Sequence, residues 1–103
     1  MSDLSIAREI MRQLGPQAIA LLGAHSIVGG DNFIQFSIRG CRKINKIRIE
    51  LDPSDTYTVQ FWKIGRGGES MNMVAERGGI YFDMLHDVIE SETGLYTTFH
   101  ARR

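Results

Sequence analysis

The apolar residues of this chain change their period twice, and the changes outline the fold. Ile6, Ile10 and Leu14, joined by Ala7 and Met11, recur at helical spacing. They predict an amphipathic helix that Gly15 and Pro16 bring to an end. Pro16 suits the first position of a second short helix, where its missing N–H has no partner to lose. The stretch "PQAIALLG" reads as that helix, stopped by Gly23.

The period then shortens to two. "AHSIV", the turn cluster "GGDN" and "FIQFSIR" predict a hairpin. In its second strand Ile34, Phe36 and Ile38 alternate with Gln35, Ser37 and Arg39. "INKIRIEL" places Ile47, Ile49 and Leu51 on one face and Lys46, Arg48 and Glu50 on the other. After the turn "DPSD", "TYTVQFWKI" puts Tyr57, Val59 and Phe61 inward and Thr58, Gln60 and Trp62 outward. "GRGGES" reads as a loose turn and "MNMVAE" as a last strand.

Beyond "RGG" the helical period returns. Tyr81, Met84, Leu85, Val88 and Ile89 form one stripe, with Asp83, Asp87 and Glu90 on the other side. Gly94 marks the C-terminus of that helix, and Leu95 is placed to pack back on it. Pairing Phe36 with Ile47, and Ile49 with Val59, keeps every inward residue inward. The same register sets Gln35 opposite Arg48 and Lys46 opposite Trp62 on the outer face. The expected fold class is α+β: an antiparallel meander sheet of four to five strands with N- and C-terminal helices packed on one face. The other face is left open to water. With 103 residues, the chain is expected to form a single domain, 1–103.

Charge refines this picture. Twelve Lys and Arg balance twelve Asp and Glu, whereas dedicated nucleic-acid-binding domains carry a basic excess. The distribution is uneven. "RGCRKINKIR" holds Arg39, Arg42, Lys43, Lys46 and Arg48 and no acid, while residues 83–92 hold Asp83, Asp87, Glu90 and Glu92 and no Lys or Arg. Arg39, Lys46 and Arg48 fall on the polar phase of two neighbouring strands, with Arg42 and Lys43 in the turn between them. Alternation alone accounts for such a stripe as the wet side of a sheet. With Gln60 and Trp62 beside it, it is also the surface available to a partner.

Candidate chemistry is sparse. The lone Cys41 makes no internal disulfide, which fits a reducing compartment. His25, His86 and His100 form no paired metal-ligand spacing, and Asp83, His86, Asp87 and Glu90 read as the solvated side of a helix. No metal or cofactor is expected. "GRGGES" and "GGDN" lack the Lys-Ser/Thr or the following helix of a phosphate loop. Asp52 and Asp55 in "DPSD" are turn residues. No nucleophile, base and orienting group come together, so the chain reads as non-enzymatic. No apolar run is long enough for a membrane span, and the N-terminus lacks the pattern of a signal peptide.

"LLGAHSIVGGDNFIQFSI", "IELDPSDTYTVQFWKI" and "GGIYFDMLHDVIESETGLYTT" resemble a family of short proteins encoded by bacteriophages, prophages and plasmids. The resemblance spans about Ile6 to Thr98. Its most specific parts are Leu51–Phe61 and Glu92–Thr97. It brings no catalytic residue with it. It implies a small accessory protein of a mobile element in the cytoplasm of a bacterial host. Such proteins regulate or inhibit host machinery, including defence systems such as CRISPR. The expected function is therefore binding of a host or phage protein through Arg39, Arg42, Lys43, Lys46, Arg48, Gln60 and Trp62. One alternative is a single-stranded nucleic-acid binder on the same basic face. Another is a structural or oligomer-forming protein.

Overall fold

The computed structural model describes residues 4–97. The first apolar stripe becomes α1 (Ser5–Leu14), which buries Ala7, Ile10 and Leu14, with Ile6 and Met11 partly buried beside them. Gly15 breaks the chain at φ 89. Pro16 then opens α2 (Pro16–Leu22). Gly23 closes α2 in the left-handed conformation (φ 64, ψ 35), which costs glycine nothing and other residues a steric clash.

The alternating segments form one sheet of five antiparallel strands, ordered as in the chain. They are β1 (His25–Gly29), β2 (Phe33–Ser37), β3 (Lys46–Leu51), β4 (Tyr57–Ile64) and β5 (Met71–Ile80). Phe36 pairs with Ile47, and Ile49 with Val59. Gln35 faces Arg48, and Lys46 faces Trp62, as alternation requires. Ile34, Phe36, Ile47, Ile49, Val59 and Phe61 are fully buried or nearly so, against Ile10, Leu14, Leu22, Leu85 and Ile89 from the helices. The fold is α+β, with the helices covering one face of the sheet.

Three details differ from the sequence reading. First, β5 runs on through Arg77, Gly78 and Gly79 to Ile80, where the sequence suggested a strand over "MNMVAE" alone. Ile80 is buried and pairs with Tyr57. Gly79, at φ 66, helps absorb the extra residue that β5 carries between its pairings with Tyr57 and Val59. Second, Arg39 lies beyond the end of β2, in the loop before β3, rather than on a strand.

Third, the last helix, α3, is Leu85–Thr93. Phe82–Met84 form a 3-10 turn before it. Tyr81 and Met84, expected in the core stripe, are therefore exposed, and α3 buries Leu85, Val88, Ile89 and Thr93 instead. Asp83 sits in that turn and not on the helix with Asp87 and Glu90.

Polar ties lock the helices to each other and to the sheet. The His86 Nε2–H donates to the Leu14 carbonyl at the end of α1 (2.7 Å). The Tyr57 hydroxyl donates to Gln13 Oε1 (2.9 Å). Burial, reinforced by the charges of Glu9 and Asp55, pushes the Tyr57 pKa up. Arg77 of β5 pairs with Glu92 of α3 (2.9 Å). Gly94 ends α3 at φ 75, and Leu95 packs back on the core. Glu90 Oε2 then accepts from both the backbone N–H (2.8 Å) and the hydroxyl (2.7 Å) of buried Thr97. His100 and the tail "FHARR" lie outside the described residues.

Candidate interaction surface

The pairing register arranges the outer face in rows that cross the sheet. His25 pairs with Ser37, Ser37 with Lys46, Lys46 with Trp62 and Trp62 with Met73. The next row runs Val28, Gln35, Arg48, Gln60, Glu76. A third holds Phe33, Glu50 and Thr58. Neighbours within a row stand about 4.8 Å apart, the spacing of paired strands. Side chains far apart in the chain are thus brought side by side.

Two shallow depressions follow from this layout. One, of about 480 Å³, is lined by His25, Ser37, Arg39, Lys46, Ile64 and Arg66 among others, and no acid lines it. The other, of about 280 Å³, is lined by Gln35, Lys46, Arg48, Gln60, Trp62 and Met71. Lys46 borders both, so the two are adjacent.

The outer side chains are oriented by their own contacts. The Trp62 Nε1–H donates to Gln60 Oε1 (3.2 Å), and Gln60 Nε2 donates to Glu76 Oε2 (2.8 Å). The indole is partly buried. The Arg48 guanidinium lies 3.7 Å above the Phe33 ring and donates to Gln35 Oε1 (3.4 Å). Cation–π contacts of this kind hold an arginine extended and leave part of its charge available. Among the outward acids, Glu76 is engaged by Gln60 and Glu50 accepts from Asn32 (3.2 Å). Both lie off the His25–Met73 row. Asn45 extends the β3–β4 ladder: its side-chain amide donates to the Ile64 carbonyl (2.9 Å) and accepts from the Ile64 N–H (2.8 Å). That clamp fixes the start of β3 and, with it, the position of Lys46.

Of the residues singled out from the sequence, Lys46, Arg48, Gln60 and Trp62 come together on this face, and Arg39 joins them from its loop. Arg42 and Lys43 are exposed in the loop between β2 and β3 and line neither depression. His25, Arg66, Phe33 and Met71 complete the surface and were not picked out as site residues. Phe33 was within reach of the sequence, since it shares the phase of Gln35. His25 and Arg66 were not, because only the folded sheet brings the start of β1 near the end of β4.

Elsewhere, no three His, Cys, Asp or Glu side chains of the described residues gather as a metal site. Cys41 is partly buried against the core. No helix among the described residues is long and apolar enough to cross a membrane. Comparison with family models, with curated proteins and with solved structures finds no match to this chain.

Proposed function

We propose that the protein is a non-catalytic binding module that engages a partner protein through the open face of its sheet. The carrying observation is Trp62. It is a large aromatic left partly in water, in a depression ringed by Lys46, Arg48, Gln35 and Gln60. Tryptophan beside arginine is a frequent pairing at the energetic centre of protein interfaces. The resemblance to small proteins of mobile elements suggests a cytoplasmic setting in a bacterial host. It makes a host or phage protein the partner, with regulation or inhibition of host machinery as the outcome.

A single-stranded nucleic acid is the second reading. The presence of Phe33 on the same face as Trp62, two rows and two strands away, favours it, since aromatics on a basic sheet can stack bases. Against it, the Arg48 guanidinium covers the Phe33 ring, and the chain has no net positive charge. Affinity capture from host lysate with and without nuclease separates the two. Protein retained after nuclease by the wild type and lost by Trp62→Ala is the expected result. Loss of all bound material on nuclease treatment favours nucleic acid.

A further inference from the structure

Resting on the reading of a protein partner, we infer that the partner presents an extended acidic segment. An apolar side chain of that segment occupies the Trp62 depression, and carboxylates on alternate residues enter the basic depression beside it. Charge complementarity carries the inference. The larger depression draws His25, Arg39, Lys46 and Arg66 from four separate stretches of chain and has no acid in its lining. The described residues show two ion pairs, Arg12 with Glu9 and Arg77 with Glu92, and neither involves Arg39, Lys46 or Arg66.

The layout also sets a length. Along the row from Trp62 through Lys46 and Ser37 to His25, three strand spacings span about 14 Å. In an extended peptide, side chains on one side recur every two residues, about 6.7 Å apart. An apolar residue seated at Trp62 and Met71 therefore puts the next two same-side residues over Lys46 and Ser37, and then near His25. Arg39 and Arg66 flank the path. The matching pattern is an apolar residue followed at alternate positions by two acids. Ser37 adds a neutral hydroxyl donor in mid-row, which can hydrogen-bond a carboxylate.

The test uses Trp62, the only tryptophan, as its own reporter. A short synthetic peptide of pattern Leu-Gly-Glu-Gly-Glu is titrated into the full chain, beside a scrambled peptide of equal charge and an oligo-thymidylate. The expected result is a saturable change of Trp62 emission with the patterned peptide, weaker with the scrambled one and weakened by salt. Arg39→Glu combined with Arg66→Glu should lower affinity at least about tenfold, the usual scale for reversing charges in an interface. Both side chains are exposed, so the melting temperature should not move. Arg39→Gln with Arg66→Gln should lose less. No response to the peptide, or equal binding by the double Glu variant, overturns the inference. The protein-partner reading then still stands if lysate capture survives nuclease and fails in Trp62→Ala. Tighter binding of oligo-thymidylate than of the peptide overturns both.

Discussion

On β4, Phe61 and Trp62 are neighbours in the chain and opposites in environment. Phe61 is fully buried between sheet and helices, while Trp62 lies on the uncovered side with Lys46 across from it. The same division holds on β3 between Ile47 and Lys46, and on β2 between Phe36 and Gln35. A strand sends successive side chains to opposite faces, so a single register fixes both sets at once. The inner set holds the fold together. The outer set is placed by that same core yet contributes little to it, and it lies on the uncovered face.

This comparison breaks most visibly in the core. Phe61→Ala should cost about 3–5 kcal/mol and Ile49→Ala about 2–5 kcal/mol in denaturant melts, because both leave cavities under the helices. If Lys46→Ala proved as costly as these, the two faces would have to be exchanged. Next in size is the tie after α3. Glu90→Ala removes the acceptor for both the N–H and the hydroxyl of buried Thr97, and should cost about 1–3 kcal/mol. Hydrogen exchange at the Thr97 amide should rise with it.

A smaller effect is expected at the edge of the inner set. Tyr57→Phe loses the bond to Gln13, about 1 kcal/mol. Burial raises the Tyr57 pKa in the folded protein above its ordinary value of 10.0. A group whose folded pKa is raised gives stability that is whole below its unfolded pKa. That stability is lost as pH climbs through the folded value. Stability should therefore fall above pH 10 in the wild type and fall less steeply in Tyr57→Phe. The smallest effect belongs to the outer face, where Lys46→Ala should stay within about 0.5 kcal/mol of the wild type. A chevron or equilibrium melt resolves these differences in one buffer series.

The contrast of faces was legible in the sequence because β2, β3 and β4 each bury one face only, and their alternation is clean. It placed Lys46, Arg48, Gln60 and Trp62 on one surface in the register the structure shows. The two ends of that logic were not legible. β5 is an edge strand with two irregularities in its pairing, and nearly all its residues are exposed, so no alternation announces its length. Tyr81 and Met84 sit at helical spacing from Leu85 and Val88, yet the chain is in a 3-10 turn there, and spacing alone does not distinguish the two. The basic depression was only half visible. Its one cation on β3, Lys46, follows from phase, whereas His25 and Arg66 arrive through tertiary placement that no local pattern encodes.

The central claim is that Trp62 is held by the fold but reserved for a partner. Acrylamide quenching of Trp62 emission tests it directly, first in the free protein and then with the captured partner added. The account predicts ready quenching when free and protection when bound, with Trp62→Ala still folding to nearly wild-type stability. Emission that resists quenching in the free protein, with a large loss of stability in Trp62→Ala, would contradict it and return the indole to the core.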